Sequence, residues 1–288
     1  MSLSTVLFLF LAHLGVGIAF TLVLVSREAG VKFFRFNSGL AAILLALAVA
    51  FDLEGRPLMV DGSSSREGVE AVSRAGMVGA MVGYRPLLIC TGLMLFYWAT
   101  VGRLFTKIRT GILAAAAIAG LIAIVLQALE VSAGGSSAVV ALTVASFLTS
   151  AAMLGGACTA MIVGHWYLVI PSLQVSHLQS IVKLHIVSMA ARVVVVGVAV
   201  WFAIAMWQPD VNLGPSFRHY IFSSDGIFFW QRVLFGLAGP AVLSYLTWET
   251  AKIRSTQSAT GILYVDFFTV MVGEVLAKYI ILATRVPV

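Results

Sequence analysis

GILAAAAIAGLIAIVLQAL, residues Gly111–Leu129, runs for nineteen residues without a charge, and its one strongly polar side chain is Gln127. About 20 such residues are what an α-helix needs to cross a hydrocarbon core roughly 30 Å thick. The run is continuously apolar and does not alternate with period two, which removes the transmembrane-strand alternative. Outward from it, the same pattern recurs at Leu3–Val25, Phe36–Phe51, Pro86–Phe105, Ala138–Ile170, Ile181–Trp207, Ile227–Trp248 and Gly261–Ala283. The sequence therefore predicts an all-α, polytopic integral membrane bundle of about eight transmembrane helices. Residues 1–288 read as one transmembrane domain, with a polar outer loop at about 52–85 in which Asp61–Arg74 is a candidate for a short surface helix.

Composition agrees with the pattern. The 288 residues are 60% hydrophobic and 10% charged, with a mean hydropathy of +1.03. A soluble domain carries roughly 25% charged residues, so the surface this chain can cover is a lipid-facing one. A net charge of +6 in a soluble protein would suggest nucleic acid as a partner. Here the basic residues fall in short connections between apolar runs, so the expected partner is the lipid bilayer and not nucleic acid. Cys90 and Cys158 both lie inside apolar runs and form no CxxC or haem-attachment pattern, which makes them packing residues. The first run lacks a basic leader and is long enough to span, so it reads as a helix and not as a cleavable signal.

Basic residues also set the expected orientation. The connections after the first, third, fifth and seventh runs hold Arg27, Lys32, Arg35, Arg103, Lys107, Arg109, Lys183, Lys252 and Arg254, whereas the opposite short connections hold little beyond Arg218. The long loop after the second run balances four arginines with five acids. This charge bias places the chain in a membrane of the bacterial inner (cytoplasmic) type with both termini periplasmic. The first and second sets of four runs show no internal repeat, which weakens a transporter reading.

Ionisable groups at membrane depth are costly and so mark function. They are His13, His165, His185, Arg192, Asp266 and Glu274, with His177 in the connection before the sixth run. His13 and Gly17 share a helical face, where the glycine leaves room for a flat ring; the plainer reading is a histidine bonded to a neighbouring helix. His165 ends the fifth run and His185 opens the sixth, so an antiparallel pairing puts them at similar depth. Two facing histidines at one level hold a b-type haem iron from both sides. That makes His165, His185 and His13 the candidate metal ligands, with His177 able to replace one. Arg192, two turns beyond His185, needs an anion: Glu274 or Asp266, a haem propionate, or a quinone-site group. Asp266 and Glu274 are candidates for a proton or quinone site, and Glu274 also has Lys278 four residues on.

Walker, HExxH and nucleophile-elbow motifs are absent from the sequence, which leaves no evident machinery for hydrolysis or phosphate transfer. The leading expectation is a membrane-integral electron-transfer subunit of a multisubunit oxidoreductase. It would bind haem b through histidines, exchange electrons with quinone, and dock other subunits of a membrane complex. A haem-free quinone-reactive anchor is a close variant. The alternatives are a small-solute or ion transporter or channel, with Gly239-Pro240 as its helix break, and a cofactor-free structural subunit.

Overall fold

A computed structural model describes residues 2–55, 68–103, 108–169, 175–207 and 214–288, with side chains at all of these except 54, 55, 68–83, 175, 177 and 225. Among the described residues the chain is helical almost throughout and forms no strand. The long helices are α1 (Leu3–Leu24), α2 (Gly30–Gly55), α3 (Gly68–Thr100), α4 (Arg109–Val131), α5 (Ser137–Val169) and α6 (Val175–Met206). After the short α7 (Phe217–Phe222), the chain crosses again through α8 (Ile227–Val233) and α9 (Gly239–Lys252), then through α10 (Thr256–Thr284). Seven segments are long and apolar enough to span a membrane: α1, α2, α4, α5, α6, α8 with α9, and α10. The remaining long helix, α3, packs between α2 and α4. The all-α membrane bundle is thus the fold.

The first crossing forms the middle of the bundle. In α1, 72% of the most apolar stretch is buried, against 28% in α6, and α1 touches α2, α4, α5 and α10. Its face at His13, Gly17 and Thr21 lies along a small-residue ridge of α5 made by Ser150, Ala151, Gly155 and Thr159. His13 bonds Ser150, and Thr21 and Thr159 share a hydrogen bond of 2.6 Å. Between them a Cβ on Gly17 would lie 2.0 Å from the Ala151 carbonyl oxygen, and one on Gly155 would lie 2.1 Å from the Gly17 backbone. The residue numbers rise together along both helices, so α1 and α5 run parallel. Close approach at small residues, with hydroxyl bonds across the seam, is the packing that works where lipid is as apolar as the side chains.

Several helices outrun their sequence-derived limits. The second span begins at Gly30, six residues before Phe36, because Gly30 at φ +85° makes the turn and nothing after it breaks a helix. Lys32 and Arg35 are therefore helical, and Arg35 Nη2 reaches 2.7 Å to the Val101 carbonyl at the end of α3. Helix resumes at Gly68 inside the expected 52–85 loop and runs through Pro86 to Thr100. The sixth span starts at Val175 instead of Ile181, which puts His177 inside a helix; its side chain lies outside the described residues, as does all of Lys107. The expected kink at Gly239-Pro240 takes a specific form. Residues Leu234–Ala238 wind as a π-turn, with Gly239 N–H bonding the Leu234 carbonyl. Proline has no N–H to offer the carbonyl four residues back, and the wider turn re-pairs the backbone just ahead of it.

Candidate functional site: a buried charge cluster on α10

Seven histidine, basic or acidic side chains are essentially inaccessible among the described residues: His13, His185, Arg192, Arg232, Asp266, Glu274 and Lys278. Asp266 and Glu274 are eight residues apart on α10, about 12 Å along one helical face, and each collects partners from other helices.

Glu274 is the hub. Arg192 of α6 grips it with both arms, Nε to Oε1 at 3.0 Å and Nη2 to Oε2 at 3.3 Å. Arg232 Nη2 of α8 reaches Oε1 at 2.9 Å. Lys278 Nζ, one turn along α10, lies 3.4 Å from Oε2, and the Ser150 hydroxyl of α5 donates to the same oxygen. Five donors saturate a group with about four lone-pair positions. Arg192 also donates through Nη1 to the Ser146 carbonyl at 3.0 Å and hydroxyl at 2.6 Å, and through Nη2 to the backbone oxygen of Val288 at 3.2 Å. Four crossings are thereby tied to one carboxylate.

Ser150 joins Glu274 to His13. Its hydroxyl proton goes to Glu274 while it accepts from Lys278 Nζ at 2.7 Å. His13 Nδ1, 3.1 Å away, must then be the donor, which leaves Nε2 as the lone-pair nitrogen. That Nε2 is buried without a hydrogen-bond partner among the described residues, and the ring stands edge-on to Phe147 at 4.7 Å between centroids. Lys278 and His13 thus both donate to Ser150, whose own proton faces Glu274. The room expected beside Gly17 is filled by the α5 backbone, so the small residue serves helix contact and leaves no slot for a flat ring. The plainer expectation, His13 bonded to a neighbouring helix, describes what is seen.

His185 and Asp266 form the second centre. His185 Nε2 lies 2.8 Å from Asp266 Oδ2, both fully buried, in ion-pair range but not aligned as a hydrogen bond. Arg192 therefore takes Glu274 as its anion, and Asp266 belongs to His185. The expectation that His165 and His185 share a depth is corrected by the packing. His185 sits against Gly156 of α5, where a Cβ would lie 3.4 Å from the His185 backbone. His165 is nine residues further along α5, about 13 Å by helical rise. It is exposed and bonds the Tyr264 hydroxyl through Nδ1 at 3.0 Å. Helices α5 and α6 do pack together, but His165 lies close to the end of α5 at Val169, whereas His185 lies well inside α6, which starts at Val175.

Sequence reasoning missed Arg232, Ser146 and Ser150, while the Lys278 noted four residues beyond Glu274 is indeed its neighbour and is buried with it. Arg232 is the sixth residue of the α8 crossing, and a guanidinium so close to a span end reads as interfacial. Gly236 and Gly273 explain why it points inward. A Cβ on Gly236 would lie 1.9 Å from Arg232 Nη1, and one on Gly273 would lie 2.1 Å from Gly236. The two glycines make a flat bed for the guanidinium. Its Nε and Nη1 have no hydrogen-bond partner among the described residues.

The fold and the site define a polytopic membrane protein built around an embedded network of charged and proton-carrying groups. No protein-family model, curated protein or solved structure matches the chain.

Proposed function

We propose that the protein is a quinone-reactive, proton-handling membrane subunit of an oxidoreductase complex, and that α10 carries its proton-exchanging core. The observation that carries this reading is the gathering of two histidines, two arginines, a lysine, an aspartate and a glutamate, all buried inside the bundle, around one apolar spanning helix. Burial on this scale is expensive and is kept where charge or protons must be managed. The cluster is packed against glycine backbones at Gly236 and Gly273, beside the contact of Gly17 on α1 with Gly155 on α5, a close packing that suits proton movement better than passage of a solute. Quinone is the lipid-soluble redox species whose chemistry demands protons: reduction takes up two electrons and two protons, and oxidation releases them. The electrons would come from, or pass to, redox groups of a partner subunit.

Within the core the roles divide by chemistry. The guanidiniums of Arg192 and Arg232 keep their protons, so they fix Glu274 as the counter-ion. Lys278, Ser150 and His13 on one side, and His185 with Asp266 on the other, are the groups able to give and take protons. This reading follows the haem-free variant, since His165 and His185 face different partners on α10.

The test is quinone retention and reaction in the purified, membrane-extracted protein. Bound isoprenoid quinone should be recovered by solvent extraction. Lys278→Met and Asp266→Asn should each slow proton-coupled quinone turnover by about a hundredfold or more while leaving quinone content unchanged. A reduced b-type α-band that disappears in His13→Ala would return the assignment to a haem-carrying subunit. A second reading, an ion or small-solute carrier, is favoured by the π-turn beside the charge cluster, because broken helices line transport sites. Solute flux in liposomes from a quinone-free preparation would establish it instead.

A further inference from the structure

On the opposite side of α6 from the cluster, a groove of about 820 Å³ runs between α6 and α9. Its walls are apolar along most of their length, with Ile186, Val187, Ala190 and Val194 on α6 and Ala241 on α9. Only one end is charged, where Lys183 faces Lys252 and Glu249. Val187 and Val194 are 58% and 64% exposed, so the groove opens to the surroundings of the bundle, which for these helices is lipid.

We propose that this groove is a specific site for an anionic phospholipid of the leaflet at the basic end of the bundle, with its phosphate between Lys183 and Lys252 and one acyl chain along the groove. Two observations select this occupant. The first is charge. The rim has two lysines and one carboxylate; Glu249 pairs with Lys252 at 2.6 Å, which leaves Lys183 uncompensated in the groove. Lys252 also lies 5.5 Å from the Trp248 ring centre, and a tryptophan beside a lysine is the side-chain pair of a headgroup boundary. A rim with a net positive charge at headgroup level attracts anionic headgroups. The second is length. From Lys183 to Val194 the groove follows eleven residues of helix, about 16 Å. That is half of a hydrocarbon core of roughly 30 Å, so the groove spans one leaflet from headgroup level to mid-plane. Its deep end, at Ala241, meets the π-turn and Pro240.

The experiment uses the full chain, delipidated in detergent and then offered phosphatidylglycerol or phosphatidylcholine of matched chains, with lipid retention read by native mass spectrometry. Phosphatidylglycerol should be retained at one per chain and phosphatidylcholine at least tenfold less. Lys183→Gln with Lys252→Gln should abolish that preference, and Ala190→Trp, which fills the groove and leaves the lysines, should abolish retention. Melting of each variant without added lipid checks that it is folded. Equal retention of the two lipids would overturn the proposal, as would retention unchanged in both variants. An isoprenoid quinone displaced by Ala190→Trp but not by the lysine changes would also overturn it.

Discussion

At the scale of single residues, the charge cluster is lopsided: three cations, Arg192, Arg232 and Lys278, share the carboxylate of Glu274. Removing the anion and removing a cation are therefore unequal changes. Glu274→Gln leaves three buried positive groups uncompensated, a loss of about 3–5 kcal/mol in folding stability by the usual cost of orphaning a buried charge. Lys278→Met leaves Glu274 held by two guanidiniums. Its main structural cost is one donor to Ser150, about 1–3 kcal/mol. Reversible unfolding in mixed micelles should rank the two in that order, and a smaller loss for Glu274→Gln would contradict the hub arrangement. Arg192, Asp266 and Glu274 were legible in the sequence as buried charges because an ionisable residue inside an apolar run stands out. Glu274 was named among the anions open to Arg192, but the pairing was not singled out, because Arg192 and Glu274 are 82 residues apart, and Ser150 was missed as a partner of His13, 137 residues away. Serines such as Ser146 and Ser150 carry no signal among the many hydroxyls of membrane helices.

At the scale of elements, two contacts decide geometry. Where α1 crosses α5, Gly155→Leu must push the helices apart, since even a Cβ there would lie 2.1 Å from the Gly17 backbone. The folded yield of that variant should fall severalfold. Gly197→Leu is the control: nothing lies within 4 Å of a Cβ at that position, and its yield should stay near that of the parent. In the α8–α9 crossing, the π-turn holds one more residue than an α-turn would. Deleting Phe235 should restore α-helical winding and turn one half of the span by about 100° relative to the other. Either Arg232 leaves Glu274, or α9 rotates Ser244 and Thr247 out of their packing. The expected stability loss equals or exceeds that of Arg232→Met. Helix existence and order were readable from apolar run length alone. Helix ends were less so, because Lys32, Arg35 and the residues after Gly68 continue helices beyond the membrane boundary at which hydropathy drops. The π-turn was readable only as the Gly239-Pro240 break.

At the scale of the molecule, α3 is the one long helix outside the seven segments apolar enough to span, and whether it crosses decides the topology: if it does, eight crossings put both ends of the chain on one side, opposite the basic connections. Because both native cysteines are buried, single cysteines can report this directly. Ser2→Cys and Arg285→Cys should react with a membrane-impermeant thiol reagent from one face of sealed vesicles, and Arg27→Cys only from the other. Labelling of Ser2→Cys and Arg285→Cys from opposite faces would mean an odd number of crossings. The basic bias that suggested this orientation is a bulk property of the sequence, while the assembly of the core is a matter of sequence separation. Arg192 and Arg232 precede Glu274 by 82 and 42 residues. At ribosomal speeds of about 5–20 residues per second, two guanidiniums wait roughly 2–16 s in or beside the membrane before their carboxylate is made. The closing helix is thus a timed arrival during synthesis. A nascent chain stalled before α10 would expose unpaired charge in lipid, the kind of defect by which a membrane quality-control protease can tell an unfinished copy from a finished one.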